Sequence, residues 1–195
     1  TLYGQLTPQE MPLLFAIGDD QTLQFTQTLY QLQYQRSFLS FTRKDLYTDV
    51  DGSDIRFAEG ISAQNAEVFK LNRYSDEELA QFASWGAKTF TIYNTAGQIA
   101  SSCFIFPNYQ NLVWEVSGLH TMQEERGKGY AKRIVQVAVN YILKDLKAIV
   151  RYQVEDNNAP SILLAQSIGL EKFLELKHFL ATPLLQQSGP LISPS

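Results

Sequence analysis

The chain has 195 residues and a formal net charge of −4, with 45 % hydrophobic and 18 % charged residues. That is the balance of one globular domain, with or without an appended arm, and not of a disordered chain. No run of about 18 apolar residues occurs, which excludes a transmembrane helix. The mild acidity argues against a nucleic-acid partner, whose phosphates need a concentrated basic surface. The lone Cys103 excludes an intramolecular disulfide and a Cys-rich zinc site, so the expectation is a cytoplasmic, metal-free protein. The chain opens on Thr1 rather than Met, which is compatible with a processed leader.

Residues 1 to 18 contain Pro8 and Pro12 and show no clear period. From Asp19 to Arg36 the apolar positions Leu23, Leu29, Tyr30 and Leu32 fit part of a helix, capped by Asp19 or Asp20. Its Gln-rich stretch, Gln21 to Gln35, reads as a solvated face. Phe38 to Tyr47 reads as extended. The turn cluster Thr48–Asp54 marks the expected boundary between an N-terminal extension (1–54) and a main domain (55–180).

Beyond it, Ile55–Ala58 reads as a strand and Ala63–Leu71 as a helix. Ser75 and Glu78 form a capping box for a second helix that stops at Gly86. Lys88–Tyr93 and Ile99–Phe106 read as strands joined by the Asn94–Gly97 turn, and Leu112–Thr121 as a third. Arg126 to Leu146 gives the clearest helix, with Tyr130, Ile134, Val137, Ala138, Tyr141, Ile142 and Leu146 on one face. Lys147–Glu155 is a strand, Asn158 caps a helix carrying Pro160 in its first turn, Gly169 stops it, and Leu170–Leu180 is a strand. The tail from Ala181, with Gly189, Pro190 and Pro194, reads as a loop. The order predicts an α/β fold with a mixed sheet flanked by helices.

One segment carries chemistry. A strand ends, Arg126-Gly127-Lys128-Gly129-Tyr130-Ala131 follows, and the long helix begins at once. Glycines let backbone N–H groups approach an anion, and a helix N-terminus adds partial positive charge. Arg126 and Lys128 add full charges. The spacing is not that of a P-loop, and the third glycine of a dinucleotide fingerprint is missing.

With those residues the sequence resembles the GNAT superfamily of N-acyltransferases, whose hallmark Q/R-x-x-G-x-G/A is met from Arg126 to Ala131. Thr121 and Glu124 upstream, and Asn158, Ser161 and Gly169 downstream, are similar to the family's pattern. The resemblance covers about two thirds of the chain and leaves the N-terminal extension unexplained. It implies a mixed, mostly antiparallel sheet and acetyl-CoA as acyl donor, with the amides of the Arg126–Ala131 loop on its pyrophosphate. The strand end at Leu119, His120 and Thr121 would pair with the pantetheine arm, and Asn158 and, more weakly, Ser161 would touch the cofactor from the other side. The acceptor implied is a primary amine on a small molecule or a protein.

Transfer to an amine needs a proton acceptor. Glu115 stands eleven residues before Arg126, the spacing of the general-base glutamate in the family's histone-acetylating branch, and it is the expected base. Its competing reading is a strand glutamate facing solvent, or one paired with a nearby Lys or Arg. His120 is a weaker candidate relay, on the opposite face by strand alternation unless the strand bulges. His178 reads as structural. Ala165 stands where many relatives have the tyrosine that serves as general acid, which leaves water or Tyr152 to protonate the thiolate. Cys103 and the aromatics Trp85, Phe104, Phe106, Tyr109 and Trp114 read first as core or pocket rim. Three functions stay open: an acetyltransferase, a non-catalytic acyl-CoA-binding or sensing module, and an interaction domain without a nucleotide. The acceptor and the oligomeric state are invisible in one sequence, so an oligomer stays possible.

Overall fold

A computed structural model describes residues 13–184. Among them the order is β1 (Leu13–Ile17), α1 (Asp20–Leu29), β2 (Tyr30–Thr42), β3 (Ile55–Glu59), α2 (Ala63–Lys70), α3 (Asp76–Ser84), β4 (Lys88–Tyr93), β5 (Ile99–Asn108), β6 (Val113–Thr121), α4 (Tyr130–Lys144), β7 (Ile149–Glu155), α5 (Ala159–Ser167) and β8 (Glu171–Pro183). The sheet is mixed. β6 and β7 pair in parallel, whereas β1–β8, β3–β4, β4–β5 and β5–β6 are antiparallel.

The chain divides into two compact units. The larger holds residues 39–173; the smaller, within the described residues, holds 13–38 and 174–184, so β2 and β8 each pass from one unit to the other.

In the larger unit the strands lie in the order β2-β7-β6-β5-β4-β3. α4 covers one face because its apolar residues recur at helical spacing: Ile134, Val135, Ala138, Val139 and Ile142 are buried. They pack with Phe90, Cys103, Ile105, Val116 and Val150. Burial of each aliphatic side chain larger than Ala contributes roughly 1.5–3 kcal/mol, so a charge at Ile134 would open this layer. α2 and α3 cover the opposite face with Val68, Phe69 and Leu79 against Phe104 and Phe106. β5 lies between the two layers, and Ile99 through Phe106 are buried without interruption, as in a strand covered on both faces.

Local signals set the ends of these helices. Ser75 and Glu78 form the expected capping box on α3. Asn158 accepts the Ser161 N–H at the start of α5, where Pro160 lies in the first turn. The regular turns of α4 begin at Tyr130, four residues later than the sequence pattern alone suggests, because Gly127 and Gly129 are left-handed.

The smaller unit departs most from expectation. Its helix starts under the cap of Asp19, as predicted, but ends at Leu29, and Tyr30 is already extended. The sequence Tyr30-Gln-Leu-Gln-Tyr34 alternates at period two and carries β-forming aromatics, which outweighs the partial helical spacing. β1 was invisible as a five-residue apolar run, yet it pairs with β8 from Leu13↔Ala181 to Ile17↔Lys177. β8 therefore continues through Ala181 to Pro183, where a loop was expected. Gly189, Pro190 and Pro194 lie outside the described residues.

Candidate active site

The segment Gly127–Gly129 has φ of +79° at Gly127 and +78° at Gly129, the left-handed region that glycine enters without strain. Among the described residues no side chain caps the N-terminus of α4. The first backbone bond after Gly129 comes from the Arg133 N–H, to the Gly129 carbonyl. The N–H groups of the first helical turn, through Lys132, thus precede the helix's own hydrogen bonds. They open on a cleft of about 820 Å³.

That cleft brings together most of the residues singled out in the sequence. Leu119, His120, Thr121, Arg126, Gly127, Gly129, Tyr130, Ala131, Asn158 and Ser161 all line it. Arg126 Nε donates to the Thr121 carbonyl at 3.2 Å, which ties the loop to the strand end. Lys128 is not in the lining. Its Nζ is 2.7 Å from Oε2 of Glu125, so its charge is largely answered within the loop.

β6 and β7 part beside this cleft. Their ladder runs from Val113↔Ile149 to Val116↔Tyr152, while β6 continues to Thr121 and β7 to Glu155. Near the same point β6 bulges: His120 faces Ser102 and Ser117 faces Phe104, so Cys103 alone stands opposite Gly118 and Leu119. Gly118 makes this possible with φ of +62°, and a Cβ there would overlap the Phe104 ring. The bulge shifts the alternation by one residue. Leu119 packs into the core on the α4 side, and His120 meets Asn72, between α2 and α3. Glu115 and Ser117, opposite Phe106 and Phe104, belong to that same α2–α3 side.

Glu115 itself lies outside the cleft lining. It is buried, and Nε and Nη2 of Arg151 both donate to its Oε2, the first at 2.8 Å. Burial pushes its carboxyl above the ordinary value; Arg151 and a hydrogen bond from Asn108 pull the other way. The His120 ring is held below its ordinary value by burial and by the Arg126 charge. Tyr152, at the last rung of the β6–β7 ladder, is pushed up to about 12 by burial against a hydrogen bond with Ser161, so its phenol keeps its proton. Ala165 is fully buried in the core, as is Cys103, whose thiol burial pushes up.

Sequence reasoning missed several lining residues. Lys132, in the first turn of α4, brings a cation to the cleft, and Pro160, Leu163, Leu164 and Ser167 line it from α5. Their places on the two helices were readable from helical spacing. Asn72 also lines the cleft, and no local pattern marked it.

Residues 61–170 match the model of the acetyltransferase (GNAT) family. The chain belongs to that family. A comparison with curated protein sequences finds no match. Among solved structures, the chain is similar to an acetyltransferase of the GNAT family from Colwellia psychrerythraea, with 14 % identity and a TM-score of 0.62 over 88 % of this chain and 65 % of that one. It is also similar to a GCN5-related N-acetyltransferase from Sphaerobacter thermophilus, with 12 % identity and a TM-score of 0.59 over 90 % and 61 %. A tandem GNAT protein from the clavulanic acid biosynthesis pathway gives 12 % and 0.60 over 88 % and 64 %. The chain spans under two thirds of each of these three, and at such identities the likeness is one of fold.

Proposed function

We propose that this protein is an N-acetyltransferase that moves an acetyl group from acetyl-CoA directly to a primary amine of a small molecule or a protein. The observation that carries this is the uncapped mouth of α4, with its two left-handed glycines, opening on a cleft that reaches the gap between β6 and β7. Amides from Gly127 to Lys132, with the charges of Arg126 and Lys132, suit a pyrophosphate. The edge that β6 exposes beyond Val116 suits a pantetheine arm lying as an added strand. Asn158 and Ser161 would meet the donor from α5.

Two β6 side chains are candidates for taking the proton of the attacking amine. Glu115 is paired with Arg151 and lies outside the cleft lining, whereas His120 lines the cleft, and burial and the Arg126 charge disfavour its charged form. His120 is therefore the assigned acceptor. Glu115 and Arg151 form an ion pair on the α2–α3 side of the sheet. Tyr152 keeps its proton and stands at the end of the paired strands, which suits a donor to the departing thiolate. The missing tyrosine at Ala165 favours a second reading, a non-catalytic acyl-CoA-binding module.

Thermal shift with CoA and acetyl-CoA, followed by thiol release across a panel of amines, separates the readings. Stabilisation with turnover supports the transferase. Stabilisation with no turnover on any amine supports the binding module. No shift at millimolar cofactor removes both. Cys103 is buried, so the protein's own thiol gives little background in the folded state.

A further inference from the structure

Asn72 lies between α2 and α3 and makes two hydrogen bonds to β6. Its Nδ2 donates to the Leu119 carbonyl at 3.0 Å, and its Oδ1 is 2.9 Å from Nδ1 of His120. These two contacts together fix a proton. A carbonyl oxygen can only accept, so the nitrogen end of the amide must face Leu119. The oxygen end then faces the imidazole, and an amide oxygen also only accepts, so Nδ1 must carry the hydrogen. In the neutral ring Nε2 is left with an unshared pair, and among the described residues no side chain hydrogen-bonds to it.

We propose that Asn72 is a positioning residue that holds His120 in its Nδ1-protonated tautomer, so that Nε2 receives the proton of the acceptor amine. The bulge at Gly118 and Leu119 serves the same end, since it turns His120 toward Asn72 and presents the Leu119 carbonyl that orients the amide. Burial and Arg126 disfavour the charged ring, which favours keeping the lone pair. In the step, the amine nitrogen bonds to the acetyl carbon, the C–S bond breaks with its electron pair on sulfur, and the nitrogen's proton goes to Nε2. The thiolate then takes a proton from the imidazolium, from Tyr152 or from water. Glu115 is held differently: its Oε2 accepts from Nε and Nη2 of Arg151, and the residue lies outside the cleft lining. The chemistry rests on the acetyltransferase reading; the tautomer does not.

The tautomer is read directly from ¹⁵N spectra of the free protein labelled at histidine. There are only two histidines, His120 and His178, and His120→Gln assigns the signals by loss. The expected result is a proton-bearing Nδ1 and a pyridine-like Nε2 in the parent, a shift toward the Nε2–H form in Asn72→Ala, and recovery of Nδ1–H in Asn72→Asp. Turnover in Asn72→Ala should fall about tenfold or more, with KM for acetyl-CoA changed by less than about threefold, and Asn72→Asp should recover most of it. An Nε2–H ring in the parent overturns the proposal, as does full turnover in Asn72→Ala or His120→Gln. A parent that shows the Nδ1–H ring but no stabilisation by acetyl-CoA upholds the positioning and defeats the transferase reading.

Discussion

Glu115 and Arg151 face each other across the parallel pair of β6 and β7, and Arg151 Nε donates to Glu115 Oε2 at 2.8 Å. The register places them there, and little water reaches either: the side chains are 9 % and 23 % exposed. Burial raises the Glu115 pKa in the fold, and Arg151 opposes it. A raised carboxylate pKa means that the fold prefers the protonated form, so its contribution is present below the unfolded value and lost as pH rises through the folded one.

Arg151→Met removes the main opposing cause and strands the carboxylate, so the folded pKa climbs further. We expect a loss of about 3 kcal/mol at pH 8, typical of breaking a buried pair from one side. Protonation relieves the stranded charge, so the loss should shrink as pH is lowered from 8 to 5. Adding Glu115→Gln should recover part of it, since no buried charge is then left unpaired. Urea unfolding at the two pH values checks this, and a pH-independent loss would contradict it.

Gly118→Ala tests the bulge. The residue has φ of +62°, and its new Cβ would meet the rings of Phe104 and Phe69. Left-handed strain of about 1–2 kcal/mol adds to overpacking of about 1–3 kcal/mol. Phe104 also packs with Phe69, Tyr74, Phe82 and Phe106, which leaves its ring little room to yield. The variant should lose roughly 3 kcal/mol in urea and, on the acetyltransferase reading, bind acetyl-CoA more weakly than the parent. Parent-like stability would mean that the strand absorbs the methyl by flattening.

The main-domain fold was legible because its signals are local. Ser75 with Glu78, the Asn94–Gly97 turn, the stripe on α4 and Asn158 each act within a few residues. The smaller unit was not, because its strands are decided by partners far along the chain, as with Leu13 and Ala181. Tyr30 illustrates the limit: the alternation from Tyr30 to Tyr34 competes with a partial helical spacing, and pairing with the distant β8 reinforces the strand. The site divides the same way. The glycine loop announces itself, but the Asn72 bonds to Leu119 and His120 join residues 47 and 48 positions apart. The Glu115–Arg151 pair likewise depends on register, which composition does not reveal.

Gly129→Ala separates backbone strain from ligand contact. Its φ is +78° and none of the described residues lies within 4 Å of the added Cβ, so space among them is not at issue. The αL conformation costs about 1–2 kcal/mol for a residue with a side chain. If α4 presents its amides to a diphosphate, the methyl group also enters the ligand's space. The Kd for CoA should then rise about tenfold or more, beyond what the stability loss explains. Calorimetric titration beside a urea melt reads both, and a change in stability alone would place the ligand elsewhere.

Two lysines in the loop and first turn give the last test. Lys128 looked in sequence like part of the cradle, but its Nζ is 2.7 Å from a Glu125 oxygen and the residue is absent from the cleft lining. Lys132 lines the cleft and makes no salt bridge among the described residues. A charge at the mouth of a cleft acts on a phosphate through water and is screened by salt. Lys132→Ala should therefore raise the Kd for CoA about fivefold to tenfold at low ionic strength and less at 0.5 M salt, roughly 1 kcal/mol of exposed charge pairing. Lys128→Ala removes a cation already neutralised and frees Glu125, so its effect should be smaller and should appear partly as lost stability of the loop. If the two variants weaken CoA equally, or Lys128→Ala more, the phosphates sit over the loop instead of at the helix mouth.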